Sequence, residues 1–240
     1  MPYLDYDRLA GIDAAAFQAQ KPYPWVNPAG ALTDHGYQRL RQSLPDVGRF
    51  DRIFGSKRSY GQKSHDRYAL EYRPGLDLGE PWHEFIAELY DDAYQRWLKR
   101  MFGRGGLSIS MHWHYTPNGC SVSPHCDARR KLGSHIFYFN TTADWDASWG
   151  GETLILDDRG RFDHKSAPRF EDFDSAAPAE SLGNRSLLFA RRQQSWHGVR
   201  EIRCPEGAFR KVFIVAINDR LLSAADRAWR RLRGKRVSGY

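Results

Sequence analysis

The chain has 240 residues, with 36 Lys and Arg against 29 Asp and Glu for a net charge of +7, and 41% of its residues are hydrophobic and 14% aromatic. These values exclude collagen-like, low-complexity and disordered chains and fit one large globular domain. No apolar run approaches the roughly 18–20 residues that a spanning helix needs, and Met1 to Asp5 lack the basic and apolar regions of a signal peptide. A cytoplasmic protein without membrane contact is therefore expected.

Cys120, Cys126 and Cys204 have no CxxC spacing, which argues against a disulfide framework and against a thiolate zinc site. In a reducing compartment the Asn-x-Ser/Thr matches at Asn140 and Asn184 carry no weight as glycosylation acceptors. The charge is uneven along the chain. Residues 220–240 hold seven basic side chains and one acid, so +6 of the net +7 resides in an expected C-terminal helix and the body is nearly neutral. That placement disfavours a nucleic-acid partner for the body.

The first hundred residues read mainly as helices with a few extended stretches. Asp13 can cap a short helix through Gln20, and Thr33 or Asp34 a second one to about Leu44. A longer helix opens at Pro81 and closes at Gly103, with Trp82, Phe85, Ile86, Leu89, Ala93, Trp97 and Met101 forming one buried stripe. From Leu107 the period becomes two: Leu107, Ile109, Met111, Trp113 and Tyr115 alternate with Ser108, Ser110, His112 and His114. Further strands are expected at 134–140, 152–157, 186–190, 195–200 and 209–218, and the polar segment 159–179 reads as a long loop. Six or more short strands without long intervening helices predict a mainly β fold with a helical N-terminal flank, an antiparallel barrel or sandwich. The division expected is a flank with supporting strands over 1–106, a β core over 107–219 and the basic helix over 220–240, all in one domain.

His125-Cys126-Asp127 is the first constellation with chemistry in it. Residues i and i+2 of a strand share a face, so His125 and Asp127 can offer an imidazole nitrogen and a carboxylate oxygen to one point. His197 stands in a second expected strand. Two histidines and one carboxylate on one side of a metal form the facial set of non-haem Fe(II) oxygenases, which leaves positions open for oxygen and a co-substrate. By spacing alone the His-x-Asp signal is weak, and an ordinary structural role competes with it.

Its surroundings are more specific. Tyr115-Thr116-Pro117-Asn118-Gly119, Pro124-His125-Cys126-Asp127, Phe137-Tyr138-Phe139-Asn140, Trp145-Asp146, Trp149-Gly150-Gly151-Glu152-Thr153-Leu154, Gly183 to Phe189, and His197-Gly198-Val199 follow one another in order. This series resembles the 2-oxoglutarate and Fe(II)-dependent oxygenases, in particular their prolyl-hydroxylase-like branch, over about one hundred residues from Tyr115 to Asn218. The resemblance implies a double-stranded β-helix, a jelly-roll or cupin-like barrel. It further implies Fe(II) held by His125, Asp127 and His197, 2-oxoglutarate as co-substrate, and ascorbate as a reductant. Arg210 is implied as the partner of the co-substrate's far carboxylate, with Tyr138 and Tyr115 as candidates for an added hydroxyl. The gap of thirteen residues from His197 to Arg210 exceeds the family's usual short turn, which leaves Arg203 as a rival.

The implied reaction is hydroxylation of a C–H bond in an amino-acid, peptidyl (prolyl-like) or small-metabolite substrate, with release of succinate and CO2. Because Asp127 is a carboxylate, halogenation is disfavoured. His112 and His114 read as structural or pocket-lining groups; a three-histidine site with His125 lacks the glutamate such sites carry. His35, His65, His83, His135 and His164 read as structural. Arg129, Arg130, Lys131, Arg191, Arg192 and Arg200 are either solvated surface or a ring at the pocket mouth that attracts an anionic or carrier-bound substrate. A nucleic-acid demethylase on the same barrel and a non-catalytic binding barrel are the competing functions, and the oligomeric state is not set by the sequence.

Overall fold

The computed structural model describes residues 1–225. The helical flank consists of α1 (Tyr6–Gly11), α2 (Ala14–Ala19), α3 (Asp34–Gln42), α4 (Glu80–Tyr90) and α5 (Asp92–Phe102), interleaved with the short strands β1 (Trp25–Val26), β2 (Asp51–Ile53) and β3 (Arg67–Glu71). The β core follows as β4 (Leu107–Thr116), β5 (Val122–His125), β6 (Lys131–Tyr138), β7 (Thr153–Asp157), β8 (Ser175–Ala179), β9 (Ser186–Ala190), β10 (His197–Val199) and β11 (Arg210–Asp219). Residues 220–225 are helical, and the rest of the expected basic helix lies outside the described residues. No helix among the described residues is long and apolar enough to cross a membrane.

The helix starts are written locally. The Asp13 carboxylate accepts from the amides of Ala15 and Ala16, and Thr33 Oγ1 accepts from Gly36 N, which satisfies otherwise orphaned first-turn donors. The expected helix 81–103 is instead two helices, broken at Asp91, whose backbone is extended (φ −68°, ψ 153°). Asp91-Asp92 forms a helix start inside the apolar run: the Asp91 carbonyl accepts from Gln95 N, and acidic groups suit the positive end of a new helix dipole. The break resets the helical phase, so Tyr94 and Leu98 join Trp97 and Met101 in the core while Ala93 is only half-buried.

The strands form two antiparallel sheets, a seven-stranded one in the order β1-β9-β6-β11-β4-β3-β2 and a four-stranded one in the order β5-β10-β7-β8. Together they make the double-stranded β-helix. β11 is its backbone, paired with β4 over all ten residues from Arg210–Thr116 to Asp219–Leu107 and with β6 from Val212–Tyr138 onward. Side chains alternate across the large sheet. Met111, Trp113, Tyr115, Phe137, Phe213, Val215 and Ile217 pack against the helices, with Trp82 seated 4.9 Å from Trp113 and 5.0 Å from Phe213 between ring centroids. The other face, with Ile136, Tyr138, Leu187, Phe189 and Val212, meets Ile155 of the small sheet inside the barrel.

Both edges of the small sheet carry a proline, Pro124 in β5 and Pro178 in β8. An edge tolerates the missing N–H and is protected from further pairing by it. The expected loop 159–179 therefore ends in a strand, β8, which pairs with β7 from Thr153–Ala179 to Asp157–Ser175.

Candidate active site

β5 and β10 bring the two histidines together, since His125 and His197 are directly opposite in their antiparallel register and their ring centroids are 4.3 Å apart. Close approach of these strands requires glycine next door. A Cβ on Gly198 would lie 2.7 Å from the Val122 carbonyl oxygen and 2.9 Å from the Phe170 ring. Asp127 follows two residues after His125, just beyond the strand end, and ligand atoms of His125, Asp127 and His197 all lie within 4.8 Å of one another. Among the described residues this is the one such group of three or more metal-ligating side chains. His112 and His114 stay outside it, so the three-histidine arrangement does not form.

The hydrogen bonds around the cluster set its chemistry. His125 Nδ1 is 3.0 Å from the Ser123 carbonyl oxygen and His197 Nδ1 is 3.0 Å from that of Ser195. A carbonyl can only accept, so each ring carries its proton on Nδ1 and leaves Nε2 with a free lone pair, the form that binds metals. Burial, and for His125 the neighbouring His197, hold both imidazoles below their usual range, which keeps them neutral. Asp127 Oδ1 accepts from Lys131 Nζ at 3.0 Å, while Oδ2 is buried without a hydrogen-bond partner. Burial favours the acid form of Asp127, but Lys131 and His197 outweigh it and leave the carboxyl below its usual value. Two neutral imidazoles with open Nε2 and a carboxylate with one unsatisfied oxygen fit a divalent iron.

The cluster lies on the wall of a cavity of about 250 Å³. Arg210, first residue of β11, also lines it and is buried; its Nε donates to the Gly151 carbonyl and its Nη2 to Thr153 Oγ1 at 3.1 Å. The Tyr138 hydroxyl donates to the same Thr153 oxygen at 2.9 Å, and the Arg210 guanidinium stands 5.5 Å from the Tyr138 ring centroid. With both acceptor lone pairs of Thr153 filled, its own hydroxyl proton remains to be donated. Burial raises the Tyr138 phenol, so it stays protonated as a donor.

Two expectations need correction. Tyr115 belongs to the odd-numbered face of β4, so it packs on Phe50 with ring centroids 4.3 Å apart, and its hydroxyl donates to the Pro45 carbonyl. It is on the opposite side of the sheet from the cavity. Arg203, with its side chain 82% exposed and 3.8 Å from Glu201, is no rival to Arg210.

His65, expected to be structural and outside the barrel, lines the cavity instead; its ring is 4.5 Å from that of His125 and its Nε2 is 3.0 Å from Ser123 Oγ. Arg58, Arg67 and Thr153 also line the cavity without having been singled out. For Arg67 a signal was present: Arg67, Ala69 and Glu71 alternate with Tyr68 and Leu70, the pattern of a two-faced strand. His112, His114, Arg130 and Lys131 line the cavity as pocket groups. His135 is a core residue, hydrogen-bonded through Nδ1 to the Tyr94 hydroxyl at 3.0 Å.

No curated protein sequence matches the chain. Among solved structures it is similar to a Pseudomonas putida prolyl-4-hydroxylase, with 15% identity and a TM-score of 0.59 over 86% of this chain and 98% of that one. It is also similar to a 2OG-Fe(II) oxygenase family oxidoreductase from Burkholderia pseudomallei, with 17% identity and a TM-score of 0.58 over 87% and 92%. A third is a Trichoplax adhaerens prolyl hydroxylase solved in complex with a hypoxia inducible factor oxygen degradation domain peptide fragment, with 16% identity and a TM-score of 0.61 over 91% and 94%. At these identities the likeness is one of fold. Residues 111–217, which contain the His-Asp-His cluster, Tyr138, Thr153 and Arg210, match the family model of the 2OG-Fe(II) oxygenase superfamily, so the chain carries a domain of that superfamily and is a dioxygenase that uses Fe(II) and 2-oxoglutarate.

Proposed function

We propose that this dioxygenase hydroxylates a C–H bond of an amino-acid side chain, free or peptidyl and prolyl-like, or of a small metabolite, with His125, Asp127 and His197 holding the iron. The observation that carries the reading is the convergence of these three side chains within 4.8 Å on the wall of the cavity that Arg210 lines. Bound Fe(II) with 2-oxoglutarate supplies oxidative decarboxylation of the co-substrate coupled to oxidation of the substrate.

The chain's own residues do the binding and orienting. The Ser123 and Ser195 carbonyls fix the two imidazole tautomers, and Lys131 keeps Asp127 ionised and turned toward the cluster. Arg210 is held by Gly151 and Thr153, so its guanidinium is prearranged for a carboxylate, with the Thr153 hydroxyl as an added donor and Tyr138 fixing that threonine. Apolar Ile136, Phe189, Val212 and Ile214 complete the lining and exclude water from the space between. The prolyl hydroxylase neighbours favour a prolyl or similar aliphatic side chain as the group oxidised.

Succinate formation from 2-oxoglutarate by the iron-loaded protein, measured with proline, prolyl peptides and other free amino acids, tests this reading. Stimulation by one of these classes over the substrate-free rate is expected. A protein that binds neither Fe(II) nor 2-oxoglutarate would overturn it.

A further inference from the structure

The cavity has a second cationic wall that the co-substrate does not account for. Its lining includes Arg58, Arg67, Arg130, Lys131 and Arg210, and among the described residues that line it Asp127 alone is acidic. Lys131 is committed to Asp127. In the reading above, iron and Arg210 take the two carboxylates of 2-oxoglutarate, which leaves Arg58 and Arg67 with no part in holding it.

Arg210 and Arg67 stand on different strands and bond different groups. Arg210 reaches across the barrel to Gly151 and to Thr153 of β7. Arg67 belongs to β3, two strands from β11 in the large sheet, a separation of about 9–10 Å at ordinary strand spacing. Its guanidinium is held by other groups: Nε donates to His114 Nε2 at 3.1 Å and Nη1 to the His65 carbonyl at 2.7 Å, two bonds that fix its plane. Arg58, half-buried in the loop before β3, lies close enough to Arg67 and to Asp127 to feel both charges, and its Nε donates to Gln62 Oε1 at 3.4 Å. Two guanidinia gathered beside one cluster repel each other at some cost, which a bound anion relieves.

Resting on the functional reading above, we propose that the primary substrate carries a small oxyanion, a carboxylate or a phosphoryl group, and that Arg58 and Arg67 bind it on the β3 side of the cavity. The oxidised C–H bond then lies between this anion and the His125, Asp127 and His197 cluster. The imidazoles of His65 and His114 flank the same wall, His114 as the acceptor that aims Arg67. Planar guanidinium forks match both oxyanions, and the small cavity suits one compact anionic molecule or a single terminal residue.

The test is anaerobic isothermal titration of the full chain loaded with Mn(II) and saturating 2-oxoglutarate, using sodium acetate in one arm and inorganic phosphate in the other. Saturable binding is expected in at least one arm, and the stronger arm identifies the carboxylate or phosphoryl class. In the double variant Arg58→Gln/Arg67→Gln that binding should weaken at least tenfold while 2-oxoglutarate affinity stays within about twofold. Arg58→Gln alone, which removes only the loop contact to Gln62, should weaken it severalfold and guards against a folding defect in the double variant. An unloaded site in both arms, or binding unchanged in both variants, which would mean an adventitious ion only, overturns the proposal. So does a loss of 2-oxoglutarate affinity as large as that of Arg210→Ala, because it would assign these arginines to the co-substrate. Wild type that binds no Mn(II) and no 2-oxoglutarate overturns the functional reading, and the proposal with it.

Discussion

Lys131 Nζ holds one oxygen of the Asp127 carboxylate at 3.0 Å, four residues along the chain, and the other oxygen is buried and unpartnered. A buried acceptor left unsatisfied costs about 1–3 kcal/mol, so the unloaded cluster is primed for a cation. Asp127→Ala should abolish tight Fe(II) binding in an anaerobic titration of the purified protein, with the fold retained by circular dichroism. Lys131→Met should keep the site but weaken it, and should move the acid limb of metal binding to higher pH, since removal of the ammonium lets the Asp127 carboxyl rise. An acid limb that stays in place would show that Lys131 does not hold the carboxylate ionised.

Arg210 and Arg203 offer a direct contrast between a buried and an exposed guanidinium. Hydrogen bonds to charged groups are worth about 1.5–3 kcal/mol, so Arg210→Ala should weaken 2-oxoglutarate binding roughly 10- to 150-fold and leave Fe(II) binding intact. Arg210→Lys should fall between, because it retains the charge and loses the fork. Arg203→Ala should change nothing measurable by the same titration. The reverse ranking would reassign the carboxylate partner.

His135 predicts the pH dependence of stability. Burial lowers its pKa to about 3, and the Tyr94 hydroxyl bonds its Nδ1. The folded state leaves the ring neutral where the unfolded chain, with a pKa near 6.5, takes up a proton. Stability from this residue is therefore complete above about pH 6.5 and falls by about 1.4 kcal/mol per pH unit as the pH drops toward 3. Urea unfolding between pH 7 and pH 5 should show stability falling with pH, the other buried histidines adding to the slope, and His135→Gln should reduce that slope below pH 6.5 by about one proton's worth. An unchanged slope would show that His135 is protonated in the folded state.

Gly198→Ala places a methyl group where the Val122 carbonyl and the Phe170 ring already stand. Overpacking of this kind costs typically about 1–3 kcal/mol, and here relief comes by parting β5 from β10. The midpoint of thermal unfolding should fall by several degrees, and Fe(II) affinity should fall with it, since His125 and His197 sit on those two strands. Full metal affinity in a destabilised variant would mean that the strands absorb the methyl without parting the histidines.

The proposed metal ligands were legible because their geometry is local: two residues at one strand end, and a histidine in a second strand brought opposite by a single pairing. Arg210 was legible from its ordered motif context, and its burial in the structure separates it from Arg203. Tyr115 failed on a rule the sequence itself contains. If His112 and His114 face the cavity, strand alternation sends Tyr115 to the other side. β5 and β8 were hidden by Pro124 and Pro178, which mark edges as readily as loops. His65 and Arg58 could not be placed at all, because they reach the cavity only when the segment before β3 folds over β5, a contact between positions some sixty residues apart. Thr153 was within a quoted motif, but its role depends on Tyr138 and Arg210 meeting at one oxygen.

The unequal lengths of the strands around the cavity imply an order of events in time. β11, paired on both sides along nearly its whole length, should exchange its amide hydrogens last, and it carries Arg210. The segment 54–66, which carries Arg58 and His65, contains no strand and is largely exposed, so it should exchange early. A ligand gripped by Arg210 is then held by the slower-exchanging strand. That contrast in exchange follows from where the chain spends its backbone hydrogen bonds, before any property of the ligands is considered.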